Sequence, residues 1–361
     1  MDLLPYDHLL NIGRPGVVAM RASNFALQNS DLLISIGCRL DNIITAFNPK
    51  KFASSAKKIV IDIDQNEIDK LDMNIAMSIN CEAKTFLNVL NKNINLKNAD
   101  WINWQRKCQS WKKKYFVNDG KPFPKNGKIS HYHFTDELSQ ILPPNITIST
   151  GSSGLGVEAF YTVFRNKEGQ RLYLTSGLGA MGYGLPSAIG ACFANNKKPM
   201  VLIEGDGSLQ LNIQEMSTLS AFKLPICLII MNNQGYASIR TTQRNYFKGR
   251  YVGTGPEAGL KLPDLKKVAL TYQIPYIQIL DASELKQKLG EAMNLTWPII
   301  IDVSLASNEV LTPKVAAIPQ PDGSMLSMPL EDMSPLLSIE TMQKEMIVGL
   351  SEASLQARER K

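Results

Sequence analysis

Residues 200–233 restrict the fold more than any other stretch. Met200-Val201-Leu202-Ile203 is a short apolar run of the kind that forms a buried parallel strand. Gly205-Asp206-Gly207-Ser208 follows, then a helix-compatible segment, then a second apolar run, Ile226-Cys227-Leu228-Ile229-Ile230-Met231, ending at Asn232-Asn233. Strand, turn, helix, strand is a unit whose two strands lie parallel, with their carboxyl ends on one edge of the sheet. Glycines 205 and 207 allow a sharp turn and let backbone N–H groups approach a ligand. Asp206 and Asn233 then reach the same edge. One carboxylate oxygen, one amide oxygen and a diphosphate fill most of an octahedral Mg²⁺ shell.

The pattern is regular from residue 131 onward. Strands are expected at 146–150, 171–175, 200–203, 226–231, 276–280 and 298–303. Helices are expected at 131–142, 185–194, 209–222, 264–272 and 283–294. Six strands alternating with helices specify an α/β fold with a doubly wound parallel sheet. Ligands of such sheets bind at the carboxyl ends of the strands, where the strand order reverses. Residues 1–95 read as a partial, Rossmann-like α/β domain, with strands at 31–37 and 58–64 and weaker ones at 17–20 and 78–79. Residues 96–130 read as a linker that includes a helix with Trp101, Trp104, Cys108 and Trp111 on a packing stripe. The large domain is expected over 131–340. A proline-rich tail from about 306 is expected to wrap over its sheet, with a final helix or tail at 341–361.

Composition excludes several classes of function. A hydrophobic content of 44% with 20% charged residues describes a globular chain, and 361 residues bury an ample core. No apolar run reaches the roughly 18 residues of a membrane span. The first residues lack the pattern of a signal peptide. The net charge is +6, and its densest cluster, Lys112-Lys113-Lys114, reads as a solvated helix end and not as a nucleic-acid patch. Cys38, Cys192 and Cys227 lie in apolar runs, which suggests buried, reduced thiols and a cytoplasmic location. The three histidines, 8, 131 and 133, show no metal-ligand spacing and read as surface or capping residues.

Gly177-Leu178-Gly179-Ala180-Met181-Gly182 fits GxGxxG between a strand and a helix. Alone it suggests a dinucleotide fold, with Glu204 at the next strand end as a ribose-binding acid. A second phosphate-type turn bearing the metal-capable Asp206 argues against a nicotinamide site.

The 24 residues that separate Gly207 from Asn232 give the GDG–NN spacing that resembles the thiamine diphosphate signature. The segment from Gly177 to Pro186 resembles acetolactate synthases more specifically. The resemblance implies a diphosphate cradle from Gly205, Gly207 and Ser208. It implies Mg²⁺ ligation by Asp206, Asn233 and the carbonyl of Gly235. Gly179, Ala180, Tyr236, Ala237 and Ser238 would line the cofactor, and Met181 would prop it in a bent conformation. No catalytic acid or base is assigned. The activity implied is decarboxylation of a 2-oxo acid, with the resulting enamine ligated to a second carbonyl compound. Alternatives are a simple 2-oxo acid decarboxylase or lyase, and a non-catalytic cofactor-binding fragment.

Asn29-Ser30-Asp31-Leu32-Leu33, Gly37-Cys38-Arg39-Leu40-Asp41 and Ile61-Asp62-Ile63-Asp64 resemble the family's central domain, which often binds FAD near Arg39 and Asp62 to Asp64. Ordinary loop charge is the alternative for these residues, and Cys81 stands where a family glycine is common. Further departures fall at Gly154-Leu155, in place of a Gln-His pair for which backbone groups and the Ser152 or Ser153 hydroxyl are the expected substitutes, and at Thr242, in place of a tryptophan that narrows the acceptor pocket. Ser327 to Met333 is similar to acetolactate-synthase-like proteins of undefined substrate. The family also carries a pyrimidine-binding domain ahead of the central one, with a glutamate that residues 1–60 do not supply. The chain alone is therefore expected to be inactive, or to work with a partner chain or as a homodimer or tetramer.

Overall fold

The computed structural model describes residues 2–94, 100–151, 154–174, 177–319 and 325–359. The chain divides into two compact units, one of Leu9–Gly120 with Thr312–Lys361 and one of Met1–His8 with Lys121–Leu311.

The first unit is built on a parallel sheet of β1 (Leu32–Ile36), β2 (Lys57–Asp62) and β3 (Met77–Asn80), in that order. Residues 17–20 form no strand; Val18 makes one isolated bridge to Lys314. The expected linker is instead part of this unit. Helix Ile102–Lys114 buries Trp111 beside Phe25, Cys108, Tyr115 and Met342. Lys114 binds the buried Glu345 and Lys112 donates to the Asn11 carbonyl (2.7 Å), so the basic cluster is only partly solvated. The tail also belongs here, not to the large sheet, and the boundary falls at 311/312 rather than near 340. Its proline-bearing part before Ile339 carries no helix among the described residues, yet Val315, Met328, Leu330 and Met333 bury their side chains with Ala19, Leu40, Phe52 and Val60; helices Ile339–Glu345 and Glu352–Glu359 follow, two short ones where a single final helix was expected. The helix Arg21–Gln28 holds the tail by its polar side chains: Arg21 donates to the Met333 carbonyl (3.0 Å), Asn24 to that of Leu330 (2.9 Å) and Gln28 to Glu331 (2.7 Å).

The second unit is a six-stranded, all-parallel sheet. Its strands are β4 (Thr147–Thr150), β5 (Arg171–Tyr173), β6 (Met200–Gly205), β7 (Ile226–Asn232), β8 (Tyr276–Ile279) and β9 (Ile299–Ser304), in the order β5-β4-β6-β7-β9-β8. The central strands are buried on both faces, with period-two alternation deciding the side. Val201, Ile203, Cys227, Ile229 and Met231 join one core with helices His131–Ile141, Leu155–Val163 and Ala282–Met293. Met200, Leu202, Ile226, Leu228 and Ile230 join the other, with helices Gly184–Ala194, Met216–Ala221 and Leu265–Thr271. The sheet is thus doubly wound. From β4 the chain moves to one side for β5 and to the other for β6, which makes the β4/β6 edge the switch point where such sheets bind ligands.

The single helix expected over 209–222 is broken. A turn at Asp206–Leu209 runs into a 3₁₀ stretch, Gln210–Glu215, and then into Met216–Ala221. Asn212 leaves the helical region (φ −140°), and its amide donates to the Gly182 carbonyl at 2.9 Å. A side chain that clasps a neighbouring loop competes with the helix here. Cys38, expected in the core, is exposed in the loop that follows β1; Cys108, Cys192 and Cys227 are buried. Among the described residues, no helix is long and apolar enough to cross a membrane.

Candidate functional site

β6 and β7 are neighbours in register, with Gly205 opposite Met231. Their next residues, Asp206 and Asn233, therefore leave adjacent strand tips on one edge, about 5 Å apart in the sheet direction. A cavity of about 130 Å³ opens there. Met181, Gly205, Asp206, Gly207, Ser208 and Asn233 line it, as do Gly235, Tyr236, Ala237 and Ser238. Gly179 and Ala180 are exposed and lie outside the lining. Ser152 and Ser153 fall outside the described residues.

Hydrogen bonds fix the walls. Asp206 Oδ1 accepts from the Gly207 N–H (2.9 Å) and Oδ2 from the Gly235 N–H (2.8 Å), which leaves lone pairs on both oxygens. Gly235 has φ +124°, and a Cβ there would fall 2.6 Å from the Thr254 carbonyl oxygen, so the turn after β7 requires glycine. Ser208 Oγ accepts from the Gly182 N–H (3.0 Å) and ties the glycine-rich loop to the turn after β6. Ser238 Oγ accepts from the Leu155 N–H (3.0 Å).

Two buried acceptors at this edge, Asn233 Oδ1 and Glu204 Oε2, have no hydrogen-bond partner among the described residues. Leaving such a group unpaired costs about 1–3 kcal/mol. Asn233 lines the cavity, and a hard cation takes amide and carboxylate oxygens of this kind. The residues present therefore fit a small divalent cation held by mixed ligands. Burial pushes the Asp206 carboxyl up to about 6, against the N–H groups of Gly235 and Gly207 and the charge of Arg240. A cation would oppose that shift.

Arg240 escaped the sequence reading, and the structure places His131 and Glu204 differently from it. Arg240, buried on helix Ala237–Tyr246, donates to four carbonyls: Asn233 (2.8 Å), Gln234 (3.1 Å), Thr254 (2.6 Å) and Ser307 (2.9 Å). It clamps the turn that carries Asn233 and Gly235. His131, read as a surface or capping residue, is fully buried; Ser130 is the cap, accepting from the Tyr132 N–H at 3.1 Å. His133 stacks on Phe123 at 4.7 Å, and His8 is exposed. Glu204 is fully buried as well, between Gly151 and Gly184, where added Cβ atoms would fall 1.9 and 2.1 Å from its oxygens. It does not face the open edge as a ribose-binding acid must. Burial pushes its carboxyl up to about 7, although the Gly205 N–H hydrogen bond (2.9 Å) works the other way.

In the smaller unit, Arg39 pairs with Glu67 (3.2 Å) on the surface, and Asp64 caps helix Gln65–Asp69 by accepting from the Asn66 N–H (2.9 Å). Neither role needs a flavin.

Comparison with known proteins agrees with this geometry. Residues 150–303 match the family described as thiamine pyrophosphate enzyme, C-terminal TPP binding domain, and residues 1–90 match thiamine pyrophosphate enzyme, central domain. The chain is 31% identical over 313 residues to an acetolactate synthase large subunit of Cyanidium caldarium, covering 85% of this chain and 52% of that protein. It is 31% identical over 320 residues to a probable acetolactate synthase large subunit of Methanocaldococcus jannaschii, covering 85% and 52%. With the acetolactate synthase isozyme 1 large subunit of Escherichia coli it shares 29% over 322 residues, covering 87% and 54%. The chain spans about half the length of the curated relatives it matches. The residues that line the cavity lie in the stretch matched as the TPP binding domain, and the chain belongs to the thiamine pyrophosphate enzymes.

Proposed function

We propose that the cavity takes the diphosphate end of thiamine diphosphate with Mg²⁺, and that the chain serves decarboxylation of a 2-oxo acid with carboligation of the remaining fragment to a second carbonyl compound. The observation that carries this reading is the buried Asn233 Oδ1, without a partner among the described residues, in a cavity that Asp206 also lines from the next strand tip. The cofactor, when bound, supplies the electron sink for breaking and making carbon–carbon bonds. The protein supplies position and charge. Asp206, Asn233 and the Gly235 carbonyl would ligate the cation. Ser208, whose oxygen accepts from Gly182, would present its hydroxyl to a phosphate oxygen. Met181, part-exposed at the rim, would support the cofactor from the side, and Tyr236 closes over Gly207, whose added Cβ would meet its ring at 2.6 Å.

In this reading the pyrimidine end meets a pyrimidine-binding domain in addition to the residues described here, in the same polypeptide or another, as in a homodimer or tetramer. This reading does not depend on whether FAD is also bound. Thr242, exposed on the helix after the site, makes a second outcome worth separating, because a small side chain there leaves the acceptor position wide. With pyruvate, acetolactate marks carboligation and acetaldehyde marks simple decarboxylation. Titration calorimetry tests the site itself. Thiamine diphosphate should bind in the presence of Mg²⁺ and not after chelation. Binding that ignores the chelator would refute the assignment of Asp206 and Asn233.

A further inference from the structure

Asn233 can serve a cation only if its amide oxygen, and not its NH₂, faces the cavity. What decides this lies behind it. His131, fully buried at the start of helix His131–Ile141, places Nε2 at 3.3 Å from Asn233 Nδ2 and Nδ1 at 2.7 Å from Glu309 Oε2. The same Glu309 oxygen accepts from the His131 backbone N–H at 2.7 Å. That oxygen is thus already an acceptor, facing the ring nitrogen and the backbone N–H together. An ionised carboxylate only accepts, so the hydrogen between Glu309 and the ring sits on Nδ1. In the neutral ring Nε2 is then an acceptor, and it requires a donor opposite. Asn233 meets that requirement only with Nδ2 turned towards the histidine. The reverse orientation would set lone pair against lone pair and point two N–H groups at the cation.

We propose that His131, locked by Glu309, is a positioning residue that fixes the amide of Asn233 with Oδ1 towards the cation. The inference rests on the cation reading above. It adds to that reading a chain of three side chains, Glu309–His131–Asn233, in which each hydrogen bond dictates the direction of the next. Because His131 is sealed from solvent, no water competes for Nε2. Oδ1, without a partner among the described residues, is the other end of the same constraint.

The test uses Mn²⁺ as probe, titrated into the full chain with thiamine diphosphate and followed by electron paramagnetic resonance. His131→Leu keeps bulk but removes the acceptor, and the Mn²⁺ Kd should rise about 10–100-fold, as is usual for loss of a group that orients a metal ligand. His131→Gln sets an amide oxygen near the position of Nε2 and should restore affinity to within about threefold of the unaltered chain. With only three histidines in the chain, ¹⁵N-histidine labelling should show one ring protonated at Nδ1 and bare at Nε2. An unchanged Kd in His131→Leu, a His131→Gln as weak as the leucine variant, or a neutral His131 ring protonated at Nε2 would each overturn the proposal. The tautomer is read in the unaltered chain and does not depend on either variant folding. Failure of the unaltered chain to bind Mn²⁺ with thiamine diphosphate would remove the cation site itself, and the proposal with it.

Discussion

Glu345 offers a stability prediction whose sign can be worked from its surroundings. Its carboxyl is 4% exposed and receives hydrogen bonds from Trp111 Nε1 (2.5 Å), the Tyr115 hydroxyl (2.9 Å), Lys107 Nζ (3.4 Å) and the Lys114 ammonium. Burial disfavours the charge, but hydrogen bonds from Lys114, Trp111 and Tyr115 outweigh it and hold the folded carboxyl at about 2, against an ordinary 4.5. A lowered folded value means that the unfolded chain binds the proton more readily. The stabilisation is therefore complete above the unfolded value and drains away as pH falls from about 4.5 to about 2. A gap of about 2.5 units corresponds to roughly 3 kcal/mol. The lysines reach water, with side chains 56% and 35% exposed, and screening reduces this to about 2 kcal/mol. The perturbation is Glu345→Gln, and the assay is urea unfolding followed by tryptophan fluorescence. Trp101, Trp104 and Trp111 all report on this unit, and Trp297→Phe removes the signal of the other. Near neutral pH the variant should be less stable by about 2 kcal/mol, and the gap should shrink by more than half at about pH 3. A gap of the same size at both pH values would refute the reasoning.

Arg240→Met strips four backbone carbonyls of their donor and should destabilise the large unit by about 3–5 kcal/mol in urea unfolding. Arg240→Lys should recover little, since a point charge cannot span four acceptors. Asp206→Asn sets an NH₂ against one of the two backbone N–H groups that the carboxylate accepts, which should cost about 1–3 kcal/mol of stability, and should weaken Mn²⁺ binding with thiamine diphosphate more than tenfold, read by calorimetry; unchanged affinity would remove Asp206 from the ligand set. Gly184→Ala drives a methyl against Glu204 and should cost about 1–3 kcal/mol, a penalty that shrinks when Glu204→Ala is added in a double-mutant cycle.

Much of the large unit was legible because buried parallel strands are written as unbroken apolar runs, and 226–231 or 299–303 permit little else. The cavity lining was legible for a related reason: its residues lie within a few positions of those runs, and strand ends locate themselves. What was not legible depends on distant partners. His131 occupies a first-turn position where a surface histidine is ordinary, and the residue that anchors it, Glu309, lies 178 positions away. No local signal marks it beyond Ser130, which caps the helix. The tail was misassigned because prolines at 313, 319, 321, 329 and 335 suggested a strap, while Val315, Met328, Leu330 and Met333 between them supply core to the smaller unit.

Glu204 shows where hydropathy misjudges a strand end. The apolar run stops at Ile203, so an acid at 204 reads as the first residue beyond the sheet, free to meet a ribose. The ladder continues, however. Glu204 pairs with Ile230 and Gly205 with Met231, so β6 extends two residues beyond its last apolar side chain. Backbone pairing, not hydrophobicity, ends a strand, and here it ends where Asp206 takes over. Glu204 is therefore carried into the interior, where Gly151 and Gly184 leave the only kind of space that admits a carboxyl group. The two acids differ by two positions, yet only the one past the final ladder pair lines the cavity. The turn Gly205-Asp206-Gly207 thus does two things with one sequence: it terminates the pairing, and by terminating it there it selects which carboxylate can meet a cation.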